Sequence, residues 1–509
     1  MPGLVTKRFK FHNATQLYES FSEASPNYYY VYIGRLQEWP SSDTAPAPTD
    51  TVQDSQYAPW RDMIAAKKVT TTDVSYVVPR HVWTTGTVYT QYTDDNTSLY
   101  TSNFYVITSD YNVYKCLFNN DSTTSTVEPT GTSSSILETA DGYIWKYMYT
   151  ITAAESTRFL TENYIPVKTL AADDGSAQWD VQQAAVNGSI EIVRVTSNGS
   201  GYVTNSNTFV NVANSTVFKL ANTASASDDI YNGSVLFISS GLGSGQLREI
   251  VNYVAANNTL TVNTGFTTTP NTSSEYIVSP KITFNGDGTG ATAYANVASG
   301  EIRKITMINV GSNYSYANAV VTANSGSSAV IKPIISPESG HGSDAVKELG
   351  GYNVMLNVKL TGTESGRFPA NNNFRSIGLM VDPLLANSQS ATSTRYSQMT
   401  KLTLTGVSIT PFEEDEMISG GTSSAIGRVV NFANSNASGS EGVLSLTNIQ
   451  GTFTAETITG NTSSATATVS SVTAPDLKPY TGNIIYRENR SLVNRDSDQT
   501  EDIKLTVRF

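Results

Sequence analysis

The chain has 509 residues, too many for one compact core, and domain-size statistics suggest roughly two to four domains. Charged residues make up only 15%, and Ser, Thr, Asn and Gly replace them, a mixture typical of strands joined by many turns. We therefore expect a mainly β protein. The net charge of −12 argues against a nucleic-acid partner, which would require an extended basic surface.

The only cysteine, Cys116, excludes an internal disulfide, and its apolar and aromatic neighbours predict a buried strand thiol. No apolar run approaches the ~20 residues of a membrane span, so we expect no membrane partner. Residues 1–11 lack the apolar stretch of a signal peptide. We accordingly expect the protein to be made and assembled in a cytoplasm.

Aromatic residues are frequent in the first 180 positions. Residues 28–33 predict a strand, and Leu17 with Phe21 predict a small amphipathic helix. Pro59 is expected to begin a second helix, with Trp60, Met63 and Ile64 on its apolar face. Further strands are predicted at the following positions: 75–78, 103–108, 113–118 and 143–151. The last has aromatic residues on both sides, which indicates burial of both faces.

From about residue 180 large aromatics become rare and an internal repeat appears. Residues 188–202 (GSIEIVRVTSNGSGY) match residues 300–314 (GEIRKITMINVGSNY), which predicts two copies of a strand ending in a glycine turn. Strands are also predicted at 235–239 and 247–254. These positions indicate an inserted β-module.

A second repeat lies nearer the C-terminus, where residues 415–425 (DEMISGGTSSA) match 455–465 (AETITGNTSSA) and predict a hairpin unit. Residues 345–397 and the residues after 474 are again rich in aromatic and charged side chains, like the N-terminal part of the chain. We therefore predict a discontinuous β-sandwich core with a few short helices and two small inserted β-domains. The expected boundaries are these: core at 1–184, 341–400 and 474–509, and insertions at 185–340 and 401–473.

Motifs for chemistry are weak. The three histidines, His12, His81 and His341, have no local nucleophile, and with one cysteine they give no zinc-ligand spacing. The acidic run 413–416 is expected to be a solvated charge run. Residues 241–245 lack a following helix and indicate a hairpin rather than a phosphate loop, and residues 285–288 indicate a tight turn rather than a calcium loop. We predict no enzyme activity, no catalytic residue, no metal and no cofactor.

A set of short segments occurs in a shared order along the aromatic-rich parts of the chain. Together they resemble the baseplate wedge subunit of T-even-type, contractile-tailed bacteriophages, which bridges the inner wedge to peripheral baseplate proteins. The segments are 33–40 (IGRLQEWP), 78–83 (VPRHVW), 113–117 (VYKCL), 141–147 (DGYIWKY), 163–166 (NYIP), 374–378 (FRSIG) with 382–384 (DPL), 485–490 (IYRENR) and 498–505 (DQTEDIKL). The two β-insertions depart from the shorter family pattern.

The resemblance implies a structural virion protein of the tail baseplate, a β-sandwich core, a homodimer within each wedge and contacts with other wedge proteins. Arginine and tryptophan in the family-like segments are the expected partner-interface residues, because both types are enriched at interfaces. They are Arg35, Trp39, Arg80, Trp83, Arg375, Arg487 and Arg490. An alternative role for these arginines is an internal salt bridge with Asp141, Asp382 or Glu488.

Two other functional classes fit a β-rich, Gly-Ser-rich chain. A tail-fibre or adhesin-like protein would bind carbohydrate on a host surface and would usually form a trimer. A polysaccharide depolymerase would need a longer β-repeat and a pair of carboxylates in a cleft. Light scattering and a reducing-sugar assay distinguish these classes from a wedge protein.

Overall fold

The computed structural model describes residues 4–23 and 27–509 and has 32 strands and five short α-helices in these residues. The predicted mainly β fold class is confirmed. Internal contacts divide the chain into two units. The first unit comprises Met1–Val78, Ala153–Pro166 and Gly351–Phe509, and the second comprises Pro79–Thr152 and Val167–Gly350.

The helices of the described residues are α1 (Lys7–Glu19), α2 (Ala58–Asp62), α3 (Ala153–Phe159), α4 (Ala177–Ala184) and α5 (Ala345–Leu349). Leu17 lies in α1, whereas Phe21 follows its end. Pro59 stands in the first turn of α2 as predicted, but the expected apolar face was wrong. Met63 and Ile64 begin a strand, because Met63 pairs with Gly34 of the neighbouring strand.

The strands of the first unit form two sheets and a barrel. They are β1 (Tyr29–Gly34), β2 (Met63–Lys68), β3 (Val74–Pro79), β8 (Tyr164–Val167), β22 (Asn353–Thr361), β23 (Asn372–Val381), β24 (Arg395–Ser397), β25 (Thr400–Thr405), β26 (Met417–Gly420), β27 (Ile426–Asn434), β28 (Glu441–Gln450), β29 (Thr457–Gly460), β30 (Thr466–Thr473), β31 (Asn483–Arg495) and β32 (Thr500–Arg508). β3 and β8 each end one residue beyond the unit's boundary.

Two antiparallel sheets of the first unit form a β-sandwich. One sheet has the strand order β24-β2-β1-β23-β31 and the other β32-β22-β3-β8. Alternate residues of both sheets, such as Val31 and Ile377 in one and Val354 and Leu356 in the other, fill a single apolar core between them. The opposite face of the five-stranded sheet buries Tyr30 and Tyr32 with Trp60. Both faces of this sheet are therefore covered, which explains the nearly unbroken apolar sequence of β1.

Strands β25–β30 close into a barrel in the order β25-β28-β27-β26-β29-β30, within the range expected for the second inserted module. Its two sequence copies make reciprocal contacts. Glu456 accepts hydrogen bonds from the backbone N–H groups of Thr422 and Ser423, both at 2.8 Å. Glu416 accepts the equivalent pair from Thr462 and Ser463, both at 3.1 Å. Each copy's glutamate thus caps the Thr-Ser-Ser turn of the other, and we call these contacts the glutamate caps.

The strands of the second unit are β4 (Tyr105–Ile107), β5 (Asn112–Phe118), β6 (Leu137–Glu138), β7 (Ile144–Thr150), β9 (Ile190–Ser200), β10 (Asn205–Thr208), β11 (Asn211–Val212), β12 (Val217–Lys219), β13 (Val235–Ser240), β14 (Leu247–Val254), β15 (Thr259–Val262), β16 (Glu275–Ser279), β17 (Lys281–Gly286), β18 (Thr289–Ala298), β19 (Glu301–Ser312), β20 (Ala317–Thr322) and β21 (Ser327–Ile335). β7 is buried except at Thr150, which confirms the predicted burial of both its faces. β13 and β14 pair as an antiparallel hairpin around residues 241–245, as predicted.

Four sheets make up the second unit, with orders β4-β5-β7-β6, β21-β9, β19-β18-β17-β20 and β10-β16-β13-β14-β15-β12-β11. The aromatic-rich composition of residues 79–152 grouped them with the sandwich, whereas internal contacts group them with 167–350. The reason is that β5 and β7 bury Trp145 and Tyr114 in an aromatic core of their own, together with Val181 of α4. The boundaries expected at 185, 341, 401 and 474 stay a prediction.

The repeat of residues 188–202 and 300–314 also makes reciprocal contacts. The N–H of Tyr202 donates to the carbonyl of Gly300 at 3.0 Å, and the N–H of Tyr314 donates to the carbonyl of Gly188 at 3.2 Å. Each tyrosine ring lies against a glycine that precedes a strand: a methyl group added to Gly326 would meet the Tyr202 ring at 2.5 Å, and one added at residue 288 would meet the Tyr314 ring at 2.4 Å. We call this pair of copies, with β18 and β21, the glycine–tyrosine module.

Candidate functional site

Three of the family-like segments become neighbouring strands in the five-stranded sheet. Ile33 of β1 pairs with Ile377 of β23, and Ile377 pairs with Glu488 of β31. Segments 33–40 and 374–378 therefore lie beside segment 485–490, although most of the chain separates them in sequence. Arg35, Trp39, Arg375, Arg487 and Arg490 belong to these segments, and we call them the arginine cluster.

Arg375 is the buried centre of the arginine cluster, with its side chain 5% exposed. Its Nε and Nη2 donate to the two carboxylate oxygens of Asp43 at 2.7 and 3.0 Å, and its Nη1 donates to the carbonyl of Leu36. Hydrogen bonds from Arg375 and from the backbone of Trp39 hold the pKa of Asp43 below its usual value. Such a planar, two-bond pair fixes the loop that follows β1 against β23.

Arg35 and Trp39 stack on each other at the start of this loop. The Arg35 guanidinium lies 3.8 Å from the Trp39 ring centroid, a cation–π distance, while the residue itself has a φ of 59°. The Trp39 indole N–H donates to the backbone carbonyl of Arg490 at 2.8 Å. The Arg490 side chain stays 44% exposed, 3.5 Å from a carboxylate oxygen of Glu488. Arg490 is therefore the arginine of the cluster most available to a partner.

Arg487 binds the segment that covers β31. Its Nη1 donates to both the carboxylate and the backbone carbonyl of Asp54. The same carboxylate accepts from the N–H and hydroxyl of Thr49 at 2.8 and 3.0 Å. Burial alone would raise the pKa of Asp54, but hydrogen bonds from Thr49 and Arg487 outweigh it and lower the pKa. Arg487 thus has a structural partner inside the first unit.

The two remaining predicted interface residues, Arg80 and Trp83, lie in the second unit. Trp83 is half-buried against the aromatic core of β5 and β7, and its indole N–H donates to the Ser125 hydroxyl at 3.2 Å. Its backbone N–H donates to the carbonyl of Ile107 at 2.9 Å. Arg80 is half-buried. The structure thus brings five of the seven predicted residues together and places these two elsewhere.

Apolar side chains are exposed on and near the edge strand β31. Ile485 is 50% exposed and Leu492 is 40% exposed, and Tyr57 packs edge-on against Tyr480 with both rings largely in solvent. Edge strands usually carry charge or proline that prevents pairing with other chains. Together with Arg490, these are the exposed apolar and basic side chains on and near β31, and we call this set of side chains the β31 face.

The carboxylate partners of the arginines were mostly not those expected from the sequence. Glu488 does lie near Arg490. Asp141 accepts from the backbone N–H of Thr126 at 2.7 Å and from the Thr139 hydroxyl of its own turn, and Asp382 accepts from the backbone N–H of Tyr28 at 2.7 Å. The observed partners are Asp43, in the loop after β1, and Asp54, in the helical turn Gln53–Tyr57, and no sequence pattern distinguishes them.

A buried ion pair in the second unit was also not predicted. Lys115 and Glu348 pair with both side chains almost fully buried, and Glu348 also accepts from the N–H of Gly342 at 2.7 Å. His341 lies beside them, 2% exposed, with its ring edge-on to Tyr92. Burial, reinforced by the Lys115 and Lys146 charges, keeps the pKa of His341 well below its usual value. The histidine is therefore neutral and serves packing.

The surroundings of the cysteine and of the potential metal ligands bear on reactivity and metal binding. Cys116 is buried in β5 as predicted, and burial raises the pKa of its thiol well above the usual value. Within residues 4–23 and 27–509, no group of three or more His, Cys, Asp or Glu side chains has the arrangement of a metal site. None of the helices in these ranges is both long and apolar enough to cross a membrane.

The acidic run 413–416 is only partly the solvated charge run that was expected, since Glu413 and Glu414 are exposed but Asp415 and Glu416 are not. Glu416 is 5% exposed because it caps the turn at Ser463, and Asp415 forms an ion pair with Arg428 at 2.8 Å. Glu414 accepts from the backbone N–H of Asn373 at 3.1 Å. One sequence signal was available: the repeat keeps a glutamate at 416 and 456 while the residues around it change.

Comparison of the chain with protein-family models gives no match, and comparison with curated proteins gives none either. The likeness to baseplate wedge subunits therefore consists of the short ordered segments alone.

Proposed function

We propose that this protein is a structural subunit of a phage tail baseplate wedge that holds neighbouring wedge proteins together by protein–protein contacts. In this role it has no catalytic activity, no cofactor, and no nucleic-acid or membrane partner. It acts as a homodimer within each wedge and is assembled in the host cytoplasm. The finished protein belongs to the virion.

The observation that supports this role most strongly is the convergence of the family-like segments in space. The segment that begins at residue 33 starts in β1, next to β23 and β31, which contain the segments that begin at 374 and 485, and those at 113 and 141 lie in the paired strands β5 and β7. Short sequence likenesses scattered by chance have no reason to share sheets. That the segments lie together in the fold favours a shared fold with baseplate wedge subunits over a chance likeness in amino-acid composition.

The β31 face supports the protein–protein part of the proposal. Tyrosine and arginine are over-represented among the residues that carry binding energy, and Tyr480, Ile485 and Arg490 are exposed. Arg375 and Arg487 are tied to Asp43 and Asp54, so their first effect is to hold the loop after β1 in place. We assign direct contact to Arg490, Ile485 and Tyr480, and support of that surface to the buried arginines.

Reconstitution with purified wedge proteins tests the proposal. Arg490→Ala combined with Ile485→Ser should weaken incorporation at least about tenfold, since a residue of moderate importance at an interface contributes about 1–2 kcal/mol. Arg367→Ala is the matched control, because this arginine is 50% exposed and pairs with Asp476 rather than with a residue of β31. Equal incorporation of both variants would contradict the assignment of contacts, and failure of the unaltered chain to join any wedge would contradict the function.

Removal of the barrel separates its role from that of the sandwich. Lys401 and Thr473 pair across β25 and β30, so the chain enters and leaves the barrel at neighbouring points. A short Gly-Ser linker in place of 401–473 should leave a folded protein that still joins the wedge. Trimers in light scattering, together with binding to host glycans that the barrel deletion abolishes, would instead support the adhesin-like alternative.

A further inference from the structure

A groove of about 240 Å³ lies in the second unit, between the aromatic sheet and the glycine–tyrosine module. One wall comes from Phe118 and Ile136 in and near the β5–β7 sheet, and the other comes from β9 and β19. The volume is below the range of about 300–1,000 Å³ that is typical of small-molecule sites. It suits one or two side chains of a partner protein.

Both repeat copies contribute to the second wall at equivalent positions. Val193 and Ile305 are one such pair and Val195 and Met307 another, and they make this wall apolar. The copies differ at the position of Glu191, where the other copy has Arg303. Arg303 also lines the groove, and its guanidinium pairs with Glu301 at 2.6 Å.

Glu191 is a buried carboxylate whose hydrogen-bonding capacity is only partly used. Its Oε1 lies 3.4 Å from the Ser189 hydroxyl, while its Oε2 is shielded from solvent and accepts no hydrogen bond from the described residues. A buried carboxylate oxygen without a donor has lost its hydration and gained no hydrogen bond in return, which is unfavourable. Glu191 lines the groove, so rotation of its side chain would bring Oε2 to a donor from outside the chain and remove that cost.

The basic groups around Glu191 already have partners of their own. Lys146 donates to the carbonyl of Ser134 at 2.7 Å, and Lys115 pairs with Glu348. Lys304, at the rim, pairs with Glu138 at 2.5 Å. Lys146 and Lys115 are near enough to act on Glu191 electrostatically but do not form an ion pair with it among the described residues. The charged residues that line the groove are three acids, Asp121, Glu138 and Glu191, and two bases, Arg303 and Lys304, so with Glu191 ionised the lining has a net charge of −1 beside its apolar walls.

We propose that this groove binds a lysine or arginine side chain of a partner protein, carried on an extended segment between apolar residues. The cationic head donates to the carboxylate of Glu191 after its side chain has rotated into the groove. Its methylene stem and the flanking apolar side chains pack against Val193, Ile305 and Met307. The groove requires no baseplate protein for this binding, so a test with peptides is independent of the wedge assignment.

Methyl NMR of the full chain measures the binding directly. Acetyl-Leu-Lys-Leu-amide should shift the methyl signals of Val193, Ile305 and Met307. The norleucine peptide, which has the same length but no charge, should bind at least about tenfold more weakly, because it cannot donate a charge-assisted hydrogen bond to Glu191. Glu191→Gln should abolish the difference between the two peptides. Glu275→Gln, a carboxylate in β16 outside the groove, should leave it unchanged.

A second variant keeps the test decisive if the first is unstable. Ile136 is 41% exposed at the rim, so Ile136→Ser should fold and weaken both peptides by a similar factor. Equal binding of the lysine and norleucine peptides, tighter binding of acetyl-Leu-Glu-Leu-amide, or no methyl shift at millimolar peptide would each overturn the proposal. A shift with N-acetylglucosamine but not with peptide would also overturn it and point to a glycan site.

Discussion

The barrel and the glycine–tyrosine module reach the same arrangement by different chemistry. Each contains two copies of a short repeat, and in each the copies contact one another reciprocally. The barrel uses a side-chain charge, since Glu416 and Glu456 accept from turn N–H groups of the opposite copy. The module uses backbone hydrogen bonds and tyrosine rings packed on glycine. Two copies of a repeat can therefore be held together by a charged side chain, as with the glutamates of the barrel. They can also be held together by an aromatic ring that packs where glycine has no side chain, as in the module.

The largest expected effect comes from filling the space beside a tyrosine ring. Gly326→Ala places a methyl group 2.5 Å from the Tyr202 ring at a residue whose φ is 74°. Overpacking and left-handed backbone strain together predict a loss of about 2–5 kcal/mol in the module. Hydrogen exchange in β9 and β21 measures the local stability.

Gly290→Ala is the matched control, because φ there is 83° but an added methyl group finds only Gly311 Cα, at 3.8 Å. It should cost only the backbone term of about 1–2 kcal/mol. Equal effects of the two changes would mean that ring packing on residue 326 contributes nothing.

The next effect is expected from neutralising a glutamate cap. Glu456→Gln removes the charge that accepts from Thr422 and Ser423, and hydrogen bonds to a charged group contribute about 1.5–3 kcal/mol. Glu416→Gln should destabilise the barrel by a similar amount because the contacts are reciprocal. Denaturant unfolding followed by exchange in β26 and β29 is the measurement. The exposed Glu441 provides the control, and a Gln substitution there should change stability by less than about 0.5 kcal/mol.

Acid should remove the same contribution. Burial alone would raise the pKa of Glu456, but hydrogen bonds from Ser423, Thr454 and Thr422 outweigh it and lower the pKa to about 2. Because the folded pKa is below the unfolded value of about 4.3, the stabilisation is complete above that pH and is lost as pH falls towards 2. The difference in the free energy of unfolding between the unaltered chain and Glu456→Gln should therefore shrink as the pH falls from about 5 to about 2. A difference that stays constant over this interval would contradict the proposed role of the charge.

The smallest expected effect concerns the turn hydroxyls. Ser423 donates its hydroxyl to Glu456 at 2.5 Å, and Ser463 donates to Glu416 at 2.8 Å. Replacing either serine by alanine leaves the backbone caps in place and should cost about 1 kcal/mol. Thermal unfolding of the two single variants checks this value. A much larger loss for one serine than for the other would show that the two caps are not equivalent.

Local elements were largely predictable from residue pattern. The strands β5, β7, β13 and β14 lie where alternation and β-branched residues placed them, and both repeats were visible as matching letters. The helix at Pro59 was also found, but its face was wrong because Met63 pairs with Gly34. A run of apolar residues has the same appearance on a short helix and on a buried strand, and only the partner strand decides between them.

Ion pairs and hydrogen bonds between residues that are distant in sequence could not be predicted. Four of the five arginines predicted at the interface were found together, yet Arg375 and Arg487 pair with Asp43 and Asp54 in a polar segment that no pattern distinguishes. Glu416 belonged to an acidic run that is usually solvated. Its burial depends on a turn nearly fifty positions later, a distance over which residue pattern carries no directional information.

The sequence by itself determined that this protein is mainly β, that two modules are built from repeats, and that Cys116 and Trp145 are buried, because these properties follow from local periodicity and side-chain size. Tertiary structure alone decided which carboxylate meets which arginine, that residues 79–152 group with 167–350, and that Glu191 faces an apolar groove. The physical reason is that an ion pair or a cap requires two groups to meet in space. Which two groups come together is determined only by how whole sheets pack.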